Sequence, residues 1–328
     1  MFTKALTAVI TVLIGVGAAV ALYWVLNKLA ELLPGRLEDR IKPWLYILPA
    51  YLAIVLYLLY PAIRTVYDSF RNFREGSETF VGLQNYTDLL TSKPFQQTLF
   101  NTLLWMIIVP VATIIIGLAI ATLADRLAAR GENLSKTIIF LPMAISMVGA
   151  ATVWKFVYAY NAGEQDQIGL LNAVKVGLGG DPVPWIQQSQ FHLNSLLLMV
   201  MLLWAQIGFG MVLLSAAIKG VPTDTLEAAR IDGANDRQVF FRVVVPQIKG
   251  TIITVFITTL ISAMKTFDVV YVMTNGSFNT NILGVEFFNQ LYTNANTGAA
   301  AAIVVMLLIA TAPVMVYQVR AYRAEEAV

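Results

Sequence analysis

Within the apolar stretches of this sequence, a few residues have side chains able to do chemistry. Trp204, Gln206 and Phe209 fall in one stretch, and Thr259, Ser262, Thr266 and Asp268 in another. Rings, an amide, hydroxyls and one carboxylate can hold a ligand by stacking and hydrogen bonds, or can join helices to one another. A polar side chain in an apolar segment is costly unless it faces protein or a water-filled path, so either use turns these groups inward. Lys265 and Asp268 stand three apart, at the spacing of an ion pair across one helical turn or of two members of an ion relay. Bond-breaking chemistry has little to work with. There is no cysteine, the single histidine is His192 in a polar stretch, and no G-x-x-x-x-G-K-[ST] phosphate loop or Gly-Lys pair occurs.

The elements that must position these groups are spanning helices. The chain has 328 residues, 58% hydrophobic and 13% charged, against roughly 25% charged in ordinary soluble domains. Seven runs reach the roughly 20 apolar residues that a bilayer requires: 6–26, 44–63, 102–124, 138–160, 195–218, 252–273 and 299–318. The expected fold is therefore all-α, a polytopic membrane helix bundle. The first run, with Lys4 before it and GAAVA within it, has some features of a cleaved signal peptide, but its length favours a retained span.

Orientation follows from the loop charges. Arg36, Arg40 and Lys42, then Arg126, Arg130 and Lys136, then Lys219, Arg230, Arg237, Arg242 and Lys249, and finally Arg320 and Arg323 fall on one side. Arg71, Arg74, Lys93 and Lys175 on the other are offset by Asp68, Glu75, Glu78, Asp88, Glu164, Asp166 and Asp181. The first side is expected to be cytoplasmic, with the C-terminus inside and the N-terminus outside. The net charge of +2 suggests no nucleic-acid partner.

Residues 219–249 on that side break the apolar pattern with EAARIDGANDRQVFFRVVVP. Asp224 with Glu227 forms a D-x-x-E capping pattern, Gly233 is placed to end a first helix, and Asn235 or Asp236 to start a second. Val239, Phe240, Val243 and Val244 recur at helical spacing, and Pro246 is expected to close the unit. Two short helices with a sharp turn, and Ala228 and Ala229 offering a small-residue surface, form a shape suited to docking another protein.

Glu227-Ala228-Ala229, three residues, Gly233, nine residues, Val243, one residue and Val245-Pro246 resemble the EAA loop of ABC importer permeases. Val243 and Val245 stand where that family has isoleucine and leucine. The loop precedes the last two spans, as it does in the family. The resemblance covers residues 44–328 as a six-span permease core and leaves 1–43 as an extra N-terminal span with its connector. It implies that Glu227, Ala228, Ala229, Gly233, Asp236 and Pro246 couple the chain to a cytoplasmic ATPase. ATP and Mg would then be held by two partner ATPase subunits, with no cofactor on this chain, which is a transport subunit and not an enzyme. The further partners implied are a second permease subunit, a different chain in this branch, an extracytoplasmic solute-binding protein and the bilayer of a prokaryotic inner membrane.

FVGLQNYTDLL, FLPMAISMVGAATVWKFVY and MKTFDVVYVMTNG are similar to the sugar-permease branch, especially the maltose and alpha-glucoside type. The resemblance implies that Trp204, Gln206, Phe209, Thr259, Ser262, Thr266 and Asp268 lie along a sugar pathway. Thr274-Asn275-Gly276-Ser277 departs from the Thr-Gly-Gly-Pro of many sugar permeases, and Ser262 and Thr266 stand where the maltose type has other residues. A polyol or a glycoside compatible solute is an alternative cargo. An ion-coupled transporter using Lys265 and Asp268 would leave the EAA-like loop unexplained, and an intramembrane enzyme would lack a metal-ligand cluster.

Overall fold

The computed structural model describes residues 2–32, 34–72, 78–163 and 166–326, so Arg74, Glu75 and Glu164 lie outside the described residues. Contacts divide the chain into two units, Met1–Tyr67 and Asp68–Val328. In the first, α1 (Phe2–Glu31) lies against α2, the helix Leu37–Asp68, and Tyr23 stacks on Tyr46 with ring centroids 5.9 Å apart. The Tyr46 hydroxyl donates to Asn27 Oδ1 (2.8 Å). Their apolar side chains are almost all exposed, which suits helices whose solvent is lipid.

The second unit opens with a short antiparallel ladder, β1 (Arg71–Asn72) and β2 (Thr79–Phe80), with Arg71 opposite Phe80. Its helices are α3 (Gln84–Thr91), α4 (Lys93–Ala124), α5 (Ala129–Phe140), α6 (Met147–Val157), α7 (Leu170–Gly177), α8 (Leu193–Lys219) and α9 (Thr223–Ile231). There follow α10, the stretch Asp236–Gln247, then α11 (Lys249–Met264), α12 (Asp268–Thr274), α13 (Leu283–Phe288) and α14 (Thr297–Glu326). Five helices are long and apolar enough to cross a bilayer. Counted as one span each, two bent pairs, α5 with α6 (104°) and α10 with α11 (70°), raise the number among the described residues to as many as the seven expected.

The core of this unit is the α4–α8 pair. Ser92 accepts from the Phe95 amide (3.3 Å) to start α4, and Trp105 and Val109 pack with Leu198, Met199 and Leu202 of α8. Nearer the 219–249 end, small residues bring the backbones together, as apolar solvent favours: Gly117 faces Gly210 and Met211.

Two spans are interrupted where the hydropathy runs straight on. The 138–160 run bends after a 3-10 turn over Leu141–Ala144 containing Pro142, and Ser146 then accepts from the Gly149 amide (3.1 Å) to start α6. The 252–273 run stops at Met264 and resumes at Asp268, because Phe267 leaves helical geometry (φ −136°, ψ −57°). Lys265 and Asp268 flank that break, both exposed, and no ion pair joins them among the described residues. The expected pairing fails because its spacing presumes an unbroken helical turn.

At the end opposite 219–249, buried amides tie the loops down. Asn172 accepts from the Val183 amide and Trp185 Nε1 (both 2.9 Å) and donates to the carbonyls of Ala159 and Val183 (both 3.0 Å). Asn101 donates to the carbonyls of Asn279 (2.7 Å) and Asn281 (2.9 Å), and Asn194 to that of Phe278 (2.7 Å).

Candidate functional site

The 219–249 segment forms the expected helix, turn and helix, with two local corrections. Helix α9 starts at Thr223 behind Pro222, with no side-chain cap, so Asp224 lies in the first turn and no capping box joins it to Glu227. A cap must precede the helix, and Asp224 is already inside it. Its carboxylate still meets the favourable N-terminal end of the helix dipole. At the other end Gly233 takes φ +84°, and the Ala234 amide donates back to the Ala229 carbonyl (3.0 Å).

Of the two residues expected to start the second helix, Asn235 does so. Its Oδ1 accepts from the Gln238 amide (3.0 Å), while Gln238 Oε1 accepts from the Asn235 amide (2.9 Å). Pro246 lies within the last turn of α10, and the unit closes at the bend beyond it, at Ile248. Substituting Asn235→Ala is expected to lower stability by about 1 kcal/mol, read as a lower thermal midpoint in lipid nanodiscs.

One face of this unit is fixed and the other is open. Val221, Val239, Val244 and Ile248 are buried with Leu226, Ala229 and Ala234 against Leu118 of α4, Ala217 and Ile218 of α8 and Ile252 of α11. Glu227, Ala228, Gly233 and Asp236 are exposed, as are Ile231 (85%) and Phe241 (67%). Arg230 reaches Asp236 across the turn at 3.7 Å. The result is a helical hairpin held from behind, with small, charged and apolar groups on its open side.

Sequence reasoning missed the root of this hairpin. Glu132, buried in the first turn of α5, pairs with Lys136 and with Lys219, the last residue of α8 (2.6 Å). Lys219 also reaches Asp125 (3.5 Å), and Lys136 donates to Ser215 Oγ (2.5 Å). Five residues from three parts of the chain thus lace the ends of α4, α5 and α8 just before α9. The i,i+4 spacing of Glu132 and Lys136 was the one local signal.

The residues expected along a pathway divide. Gln206, Phe209 and Ser262 converge on one cavity of about 230 Å³, together with Ala205, Met143, Met147 and Thr258, all four of which escaped sequence reasoning. Thr258 is one helical turn from Ser262, which is the signal that would have found it. Thr259 and Thr266 are buried elsewhere, their hydroxyls bonded to backbone carbonyls four residues back, those of Val255 (2.7 Å) and Ser262 (3.0 Å). Trp204 meets Trp154 edge-on at 5.9 Å instead of lining the cavity, and Asp268 lies beyond the helix break. What the cavity offers is an amide, two hydroxyls, a ring and two thioethers, a set able to bind a neutral polar solute.

A bundle of spanning helices with a small cavity carrying a few polar groups and a braced helical hairpin at one end is the architecture of a membrane transport subunit. Residues 113–323 match the family described as binding-protein-dependent transport system inner membrane component, and the chain belongs to it. It is 42% identical over 329 residues to the alpha-glucoside transport system permease protein AglF of Rhizobium meliloti (strain 1021), covering 96% of each chain. It is 43% identical over 282 residues to the osmoprotective compounds uptake permease protein GgtC of Synechocystis sp. (strain ATCC 27184 / PCC 6803 / Kazusa), covering 86% of this chain and 99% of that one. The fold is that of a chain in the crystal structure of a bacterial alginate ABC transporter in complex with alginate pentasaccharide-bound periplasmic protein, with TM-score 0.72, 20% identity and coverage of 86% and 96%. The chain is an ABC transporter permease with several membrane-spanning helices.

Proposed function

We propose that this chain is one permease subunit of an ATP-driven importer of sugars, with alpha-glucosides or related di- and oligosaccharides as cargo. The observation that carries the reading is the convergence of Gln206, Phe209, Thr258 and Ser262 on one cavity, in a chain alike to an alpha-glucoside permease over nearly its whole length. The open side of the α9–α10 hairpin, with Glu227, Ala228, Gly233 and Asp236, is the docking face for an ATPase subunit on the cytoplasmic side. Two such ATPases hold ATP and Mg, since this sequence has no phosphate loop. A second permease, an extracytoplasmic solute-binding protein and the inner membrane of a prokaryote complete the assembly. Closure of the ATPases pushes a hairpin that is rigidly packed on α4, α8 and α11, and those helices carry the cavity walls between inward-open and outward-open states.

A second cargo reading has its own support. The 43% identity to a permease for osmoprotective compounds favours a polyol or a small glycoside used as a compatible solute. Uptake by the reconstituted complex separates the two. With ATP and the binding protein present, labelled alpha-glucosides are expected to enter and to be outcompeted only by other alpha-glucosides. Gln206→Ala is expected to cut uptake about fivefold while co-purification with the ATPase is retained, through loss of one hydrogen-bonding group at the solute. Uptake of polyols in preference to sugars would transfer the assignment to compatible solutes. Uptake without ATP, abolished by an uncoupler, would reject an ABC importer.

A further inference from the structure

From the aromatic cluster beyond the break in the 252–273 run, we infer a second sugar-binding site, an outer platform that receives a pyranose ring before it enters the inner cavity. This rests on the sugar reading above. Phe267 stacks on Tyr271 (centroids 4.7 Å, 23° between planes), both meet Phe288 (5.2 and 4.9 Å), and Phe288 meets Tyr292 (4.7 Å). The two phenylalanines are half-buried and anchor the array, while Tyr271 and Tyr292 are 37% and 68% exposed. The ring of Tyr292 reaches Phe288 from the wide turn Asn289–Thr293, a π-helical segment of the kind that recurs at functional sites.

Three features turn these rings toward a solute path. Lys265 and Asp268 are exposed beside them, and Asp268 shares a face of α12 with Tyr271 at i, i+3; such charges do not face hydrocarbon. The platform also follows the cavity wall closely along the chain. Thr258 and Ser262 of the cavity lie one turn apart on α11, which ends at Met264; Lys265 follows at once, and Asp268 and Tyr271 belong to α12, which starts after the three residues of the break. Finally, the inner cavity of about 230 Å³ is smaller than the roughly 300–1,000 Å³ of sites that enclose small molecules, so a disaccharide extends beyond it. On the platform the apolar C–H face of a pyranose covers the tyrosine rings, and the Asp268 carboxylate and tyrosine hydroxyls take up its hydroxyl groups.

The test is uptake of a labelled alpha-glucoside by the full complex with its binding protein at saturation, comparing wild type with Tyr271→Ala/Tyr292→Ala and Tyr271→Phe/Tyr292→Phe. The alanine pair is expected to lower uptake about tenfold and the phenylalanine pair less than about threefold, because the faces matter more than the hydroxyls. Co-purification with the second permease and the ATPase should be unchanged in both. An alanine pair that transports like wild type overturns the platform, and one that loses the second permease shows the rings to be a subunit interface instead. If wild type carries a polyol and no sugar, the sugar reading fails and the platform falls with it, a result distinct from sugar uptake that the variants leave untouched.

Discussion

Valine at position 208 is expected to lower uptake about a hundredfold and to lower the thermal midpoint. A Cβ built on Gly208 of α8 would stand 2.5 Å from the Ile139 carbonyl oxygen and 2.6 Å from the Phe140 Cα. Both are backbone atoms at the end of α5, so no rotamer change relieves the clash and the helices must separate. Overpacking a filled interior costs about 1–3 kcal/mol when side chains can adjust, and a backbone contact leaves less room to adjust. The functional loss should be greater still. Gln206 and Phe209 flank Gly208 on α8, and Met143 follows Phe140 by three residues, so the cavity walls are joined at this contact. A displacement of about 1 Å at a binding site can lower a rate roughly a hundredfold, and that is the expected fall in uptake for Gly208→Val. Gly208→Ala already places a Cβ at these distances, so it too should lower the thermal midpoint and uptake, with the two further methyl groups of valine deepening both losses. A wild-type midpoint and wild-type uptake for the valine variant would show that α5 and α8 are not held as close as described.

The same contact shows where the sequence stops being readable. Seven apolar runs announce seven spans, because a bilayer fixes their length, and the small α9–α10 hairpin is legible because glycine and a capping residue act locally. Gly233 is the clearest instance: its φ of +84° is a conformation that side chains disfavour, and its position alone locates the turn. The breaks are another matter. Hydropathy runs unchanged through residues 138–160 and 252–273 because a chain in lipid stays apolar whichever way it points. Pro142 and Ser146 were the only local marks of the first bend, and the second depends on the backbone of Phe267.

The candidate site divides along the same line. Gln206 and Phe209 are three apart on one helix, so their shared face is readable, and Ser262 joins them from a second helix. Thr259 and Thr266 resemble them in residue type but return their hydroxyls to the backbone carbonyl four residues back, a use of threonine that needs no partner element and no path. Composition cannot separate these cases, since both satisfy the hydroxyl. Trp204 is likewise an aromatic of the expected kind that meets another tryptophan instead of the cavity. Most hidden of all is the charge lacing at the root of the hairpin, which joins positions 125, 132, 136, 215 and 219 only once α4, α5 and α8 have come together.

That lacing carries the second large expected effect. Glu132→Lys would place a third cation among Lys136 and Lys219 and leave Asp125 as the nearest carboxylate, 3.5 Å from Lys219. Lys219 ends α8 and is followed by Gly220, Val221 and Pro222 before α9 begins, so whatever loosens it loosens the hairpin against the bundle. In the proposed mechanism the hairpin drives the spans only while it is held firmly to them. Networks of this kind set coupling by amounts that correspond to roughly three- to thirtyfold in an equilibrium, and a reversal within a buried carboxylate site belongs at the upper end. The expected result is uptake reduced about thirtyfold with the ATPase still bound and still hydrolysing ATP, measured as solute transported per ATP consumed. Pairing Glu132→Lys with Lys219→Glu restores opposite charges across the α5–α8 contact and should recover a large part of that ratio. Loss of ATPase binding in the single variant would mean that Glu132 maintains the docking face itself. A swapped pair as defective as the single variant would show that the two residues do not act through one another.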